Sequence, residues 1–147
     1  MTKTYRFEVT EDQAKTIMNA CEIFSRLQGG QWKDAFEWLP LKKEIDYEVM
    51  HKVYDEIQKM MPSILEQGID GVYSSFGVGN PDLDESHDIS WDLHCAIRHK
   101  LSWEKAVEDG IIETEDSPRK FPEMLTVNYD TPMNFSGQPL LKIKRVN

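Results

Sequence analysis

The sequence predicts an α+β domain in which about four helices cover a small antiparallel sheet of about three strands. Three observations predict it. Apolar side chains recur at the helical period in several stretches between 11 and 109, each bounded by capping residues or glycine. They alternate strictly over residues 4–10, and they alternate again around 125–129 and 141–144. At 147 residues the chain is the size of one ordinary domain, so 1–147 is read as a single unit.

In residues 4–10, Tyr5, Phe7 and Val9 share one face and Thr4, Arg6 and Glu8 the other, as in a half-buried strand. Thr10 and Gln13 have the spacing of a capping box, with Glu11 and Asp12 in the first turn. A helix over 11–28 follows, with Ala14, Ile17, Met18, Cys21, Phe24 and Leu27 as its buried stripe and Gly29-Gly30 as its stop. Trp32, Ala35, Phe36 and Leu39 give a short second helix over 31–39, ended by Pro40.

Asp46 can cap a third helix, whose stripe is Val49, Met50, Val53, Tyr54, Ile57 and Met61. Pro62 must kink or break it. Residues 69–88 turn to Gly, Ser, Asn, Pro and Asp and read as a long loop, packed through Val72, Tyr73, Phe76 and Val78. Asp88 or Ser90 can cap a central helix running to Asp109 and ending at Gly110. After a polar connection at 113–119, Leu125, Val127 and Tyr129 form a second strand and Leu141 and Ile143 a third, joined by a wide loop.

Bulk composition narrows the functional classes. With 17 basic against 26 acidic residues the chain carries a charge of -9, which leaves no electrostatic case for gripping a nucleic-acid backbone. The acidity fits either a soluble surface or a face that competes for a basic partner protein. Cys21 and Cys95 sit among apolar neighbours and outside any C-x-x-C pair, as reduced thiols do in a cytosol. The first residues lack the apolar core of a signal peptide, and no apolar run is long enough for a membrane span. A cytoplasmic protein, without nucleic-acid or membrane partners, is the expectation.

The central helix carries the leading site candidate. Trp91, His94 and Arg98 follow at spacings of three and four, so they line one edge of the helix beside the strip Leu93, Ile97 and Leu101. An indole stacks on flat rings, a guanidinium forks onto phosphate or carboxylate, and an imidazole donates or accepts. Together they suit an anionic ligand bearing a flat ring. The competing account makes Trp91 a rim aromatic, pairs Arg98 with an acid of another helix, and treats His94 as a satisfied half-buried histidine.

On the opposite flank, a contact between Asp92 and His99 would at most orient the ring, beside Trp103. His87, Asp88, Asp92, His94 and His99 offer metal-ligating atoms, but His94 and His99 are at the wrong helical spacing to share an ion, so no metal site is predicted. A second gathering is Arg26, Gln31 and Trp32 around the glycine pair, where exposed backbone N–H groups could hold an anion. Its alternative is a tight helix–helix turn around a buried tryptophan. Neither Gly29-Gly30 nor the F-G-V-G-N of 76–80 has the pattern of a phosphate loop, no serine lies in G-x-S-x-G, and neither cysteine has an evident basic neighbourhood.

Through Arg26, Gly29-Gly30, Gln31 and Trp32, and through Trp91, His94, Arg98 and His99, the chain resembles small accessory proteins encoded by phages and prophages. That resemblance implies interference with host defence, a class in which some members are oligomers that trap cyclic or ADP-ribose-like nucleotide signals and others are acidic inhibitors of a host protein. It carries over no binding residue position by position. It also implies the cytoplasm of the infected host as the place of action.

Three functions compete on these grounds. In the first, Trp91, His94 and Arg98, joined by Arg26, Gln31 and Trp32, line a pocket that sequesters a small anionic, nucleotide-like molecule without cofactor or catalysis. In the second, acids at 82–92 and 104–116 block a basic surface of a host protein. In the third, His94 is the general base of a hydrolase acting on a nucleotide-like substrate. Four tryptophans add apolar area for a homo-oligomeric interface.

Overall fold

The computed structural model describes residues 5–32, 46–60, 76–111, 132 and 134–146. Among the described residues the chain forms three α-helices and no β-strand, so it is mainly helical rather than the expected α+β sandwich of helices on a sheet. We label the helices α1 (Glu11–Gln28), α2 (Tyr47–Met60) and α3 (Glu85–Glu108).

Helix α1 is bounded by local chemistry at both ends. Thr10 accepts from the Gln13 backbone N–H at 3.2 Å, and the Gln13 side chain accepts from the Thr10 N–H at 2.8 Å, closing the expected capping box. At the other end the Gln31 N–H donates to the Arg26 carbonyl and the Gly30 N–H to that of Leu27, with Gly30 at φ 78. This is a Schellman ending, and the left-handed residue it requires is the reason for glycine there. Helix α3 ends the same way, with Gly110 at φ 70 and the Ile111 N–H on the Ala106 carbonyl.

Helix α3 begins earlier than expected. Asp84 is its cap, accepting from the Ser86 N–H at 2.9 Å, whereas Asp88 is diverted to the Gly79 N–H. Asp46 does cap α2, accepting from the Glu48 N–H at 2.9 Å.

Helices α1 and α3 pack antiparallel: Met18 lies against His94 at one level and Gln28 against Ser86 at another, so ascending one helix descends the other. Helix α2 packs against neither among the described residues. Small buried side chains, Ser25 on α1 and Ala96 and Ala106 on α3, suit two closely approaching backbones. Burying Ile97 contributes about 1.5–3 kcal/mol.

The expected stripes are only partly covered. Ile17 and Phe24 of α1 are exposed, as are Val49 and Val53 of α2, whose buried member is Tyr54. The stripe of α1 misleads because its face towards α3 is polar, built on Glu22, Ser25, Arg26 and Gln28.

Two of the three predicted strands fall at least partly within the described residues, and neither forms a ladder there. Residues 5–10 lie exposed ahead of α1, and 139–146 run along the molecule with Leu141 exposed. Alternation identifies a chain that is extended, but a strand exists only where a second segment supplies its hydrogen bonds. The segment around 125–129, the short helix beyond Trp32 and residues 61–75 lie outside the described residues. No helix among the described residues is long and apolar enough to cross a membrane.

Candidate functional site

The site is built on the α1–α3 seam. Met18, Glu22 and Arg26 are spaced four apart along α1, and Trp91 and His94 answer them from α3. The Trp91 and His94 rings stack, with centroids 5.3 Å apart and planes 30° from parallel. The Arg26 guanidinium lies over the indole, its Cζ 5.8 Å from the ring centroid. Arg26 is itself held by two acceptors, donating through Nε to Glu22 Oε1 at 2.9 Å and through Nη1 to Gln31 Oε1 at 3.1 Å. The Schellman turn positions Gln31 for that bond, because it folds the chain back immediately after α1.

His94 is 2% exposed and its Nδ1 lies 3.2 Å from the Met18 carbonyl. A carbonyl only accepts, so Nδ1 carries the proton and donates, which leaves Nε2 of the neutral ring as an acceptor. Glu22 Oε2 stands 3.8 Å from the same Nδ1. Burial pushes the imidazole's proton affinity below its ordinary value, reinforced by the Arg98 and Arg26 charges and opposed by the Met18 carbonyl and Glu22. His94 is therefore neutral at pH 7. Its Nε2 is buried and has no hydrogen-bond partner among the described residues, an arrangement that costs about 1–3 kcal/mol.

Arg98 stands one turn beyond His94, half-buried, and makes no ion pair or hydrogen bond among the described residues. Its charge bears on both His94 and Cys95. Thus of the six sequence-predicted residues, Arg26, Gln31, Trp91 and His94 are joined in one stack of contacts, and Arg98 adds a charge that reaches His94. No ring contact or hydrogen bond among the described residues links Trp32 to them, although its Nε1 is buried and has no partner there.

The glycine pair proves to be a packing joint. A Cβ on Gly29 would lie 3.0 Å from Nε2 of the buried His87 and 3.3 Å from the Ser25 carbonyl oxygen, so where α1's end approaches α3's start an added methyl would have to push the ring aside. Around that joint the Phe76 N–H donates to the Gly29 carbonyl, Gln28 bonds Ser86, and His87 Nδ1 lies 2.9 Å from Asp88 Oδ1.

Sequence reasoning missed the role of Asp92. Its buried carboxylate accepts from the Phe135 N–H at 3.0 Å, the Ser136 N–H at 2.9 Å and the Ser136 hydroxyl at 2.6 Å, fastening the C-terminal segment to α3. Asp92 is not bonded to His99, whose Nε2 instead accepts from Trp103 Nε1 at 3.0 Å. The turn that presents these donors is local, with Asn134 Oδ1 accepting from the Gly137 N–H, but nothing near Asp92 in sequence marks the pairing. Among the described residues no group of three or more His, Cys, Asp or Glu side chains is placed to hold a metal ion.

Most acids in the stretches read as an inhibitory face have internal work. Asp84 caps α3, Glu85 accepts from Gln138 Nε2, and Asp88 and Asp92 are engaged as described. Glu104, Glu108 and Asp109 pair with Lys100, Arg145 and Lys105. Compared with protein-family models, with curated proteins and with solved structures, the chain matches none.

Proposed function

We propose that this chain is a binding protein that sequesters a small anionic, ring-bearing ligand of nucleotide-like chemistry on the edge formed by Trp91, His94 and Arg98. One observation carries the reading. Among the described residues the neutral His94 presents a buried acceptor with no partner, and a half-buried guanidinium with no ion pair stands one turn away. A ligand N–H would satisfy Nε2, a phosphate would meet Arg98, and Trp91 offers an aromatic surface to a base.

Arg26 takes a supporting part in this reading, because Glu22, Gln31 and the Trp91 ring already engage it. Gln31 spends its oxygen on Arg26 and keeps its amide N–H groups for a ligand's polar edge. Trp32 contributes an indole N–H donor in want of an acceptor. The role is retention of a signal-like molecule, in keeping with an accessory protein of phage type acting against a host defence signal.

The hydrolase reading gains less support, since burial makes His94 a weaker base than an ordinary histidine. The acidic-inhibitor reading also gains less, because its carboxylates are so largely engaged within the chain.

Native mass spectrometry of the purified chain, followed by denaturation, tests the proposal. A stoichiometric small molecule of nucleotide-like mass, returned chemically intact, is the expected result. An empty protein that also fails to bind nucleoside mono- and diphosphates and cyclic nucleotides in calorimetry would overturn it.

A further inference from the structure

The segment ahead of α1 has no helix, turn or bend, and its last residue, Thr10, is extended at φ -71 and ψ 165. Tyr5, Phe7 and Val9 are 77%, 82% and 48% exposed, and among the described residues no backbone group of residues 5–9 has a hydrogen-bond partner. Among the described residues Arg6 meets only Glu8, at 3.1 Å and largely in solvent, where such a pair contributes little. An exposed, extended edge with an apolar face is a template for pairing with another strand.

The sequence of that edge is complementary to itself. It reads Thr4-Tyr5-Arg6-Phe7-Glu8-Val9-Thr10. Two copies laid antiparallel about Phe7 place Arg6 opposite the partner's Glu8 and Glu8 opposite the partner's Arg6. Phe7 meets the partner's Phe7, and Tyr5 meets the partner's Val9. Opposite charges, paired aromatics and an aromatic against a β-branched residue are cross-strand combinations that stabilise antiparallel sheet. A shift of one residue in register would destroy all of them at once.

We propose that residues 5–9 form a two-stranded antiparallel ribbon with the same segment of a second copy of this chain, centred on Phe7. The capping of α1 selects its ladder. The Thr10 N–H is already given to Gln13 and so must point away from the partner strand. Because hydrogen-bonded and non-bonded pairs alternate, Phe7 with the partner's Phe7 and Tyr5 with the partner's Val9 are then the hydrogen-bonded pairs.

The ribbon gathers Tyr5, Phe7 and Val9 of both copies on one face. Tyr5 and Phe7 offer roughly 300 Å² of mostly uncovered aromatic surface, under half of the ~800 Å² that each partner of a stable complex buries. A two-stranded ribbon also needs a helix to pack on. The exposed Ile17 and Phe24 of α1, on the helix that the arm enters directly, supply that remaining apolar surface.

Sedimentation equilibrium over a range of protein concentrations reads the outcome against the 17.1 kDa of one chain. The wild-type chain is expected to reach twice that mass. Arg6→Glu makes both charged positions of the arm acidic and Glu8→Arg makes both basic, so each variant alone should dissociate about tenfold more readily. Mixed in equal amounts the two variants restore both opposite-charge pairs, and a heterodimer of wild-type affinity is expected.

The positions are exposed, and helical circular dichroism should be unchanged in both variants. A wild-type chain that stays at the mass of one copy, a dimer indifferent to either variant, or a mixture that fails to reassemble would each overturn the proposal.

Discussion

Trp91 and His94 stack with 5.3 Å between ring centroids and planes 30° from parallel, and the same imidazole reaches the Met18 carbonyl of the facing helix through Nδ1. A ring held in this way is fixed in tautomer and kept neutral, and the stability of the seam depends on its staying so.

The first prediction is a pH dependence. His94 has a proton affinity lowered by burial from an ordinary value of 6.5, so between the two values the unfolded chain binds more protons than the folded one. Stability is then present in full above about pH 6.5 and is lost as pH falls below it towards the folded value. Urea midpoints measured from pH 7.5 to 5 should decline, and His94→Phe, which keeps a flat ring but cannot titrate, should flatten the slope. An unchanged slope in that variant would refute the assignment to His94.

Arg98, which makes no ion pair or hydrogen bond among the described residues, should be dispensable for folding. Arg98→Ala is expected to change stability by less than about 0.5 kcal/mol, yet to weaken retention of the anionic ligand by at least about tenfold. Parallel unfolding and calorimetric titrations separate the two effects, and equal losses in both would show that Arg98 serves the fold.

Two glycines should respond for different reasons. Gly29 has an ordinary φ of -74, so Gly29→Ala meets its obstacle in the buried His87 and should cost about 1–3 kcal/mol. Gly77 has open space around it but a φ of +74, so Gly77→Ala should cost about 1 kcal/mol from backbone strain alone. A further change, His87→Ala, should relieve the first cost and leave the second untouched.

Asp92→Ala should free the C-terminal segment while leaving the helix pair intact. It deprives two backbone N–H groups and a hydroxyl of their acceptor, at a cost of about 2–3 kcal/mol. Hydrogen exchange is expected to rise at residues 134–138 and to stay slow in α1 and α3. Uniform acceleration in all three regions would count against a local clasp.

Those predictions probe features of unequal visibility. The bounds of α1 were legible because every signal for them is local: Thr10 and Gln13 are three residues apart, and the Schellman bonds span five. The start of α3 was not, because Asp84 and Asp88 are both plausible caps and the choice depended on Gly79 claiming Asp88. Trp91, His94 and Arg98 were legible as one edge through helical spacing. That Arg26 and Gln31 join that edge required knowing that α1 lies across it, and Trp32, equally suggestive in sequence, is linked to none of them by a ring contact or hydrogen bond among the described residues.

By itself the sequence determined the three described helices, the caps of α1 and α2 and the spacing that puts Trp91, His94 and Arg98 on one edge, all of which follow from interactions within a turn or two of chain. Only the tertiary structure decided that the segments at 5–10 and 139–146 find no strand partner within the described residues, that Asp92 serves the C-terminal segment instead of His99, and that His94 is buried with one nitrogen unmet among those residues. The physical reason is the reach of the forces. Capping and periodicity are settled between neighbours in sequence, whereas a ladder, a buried carboxylate's donors and the environment of a ring depend on which distant segment arrives.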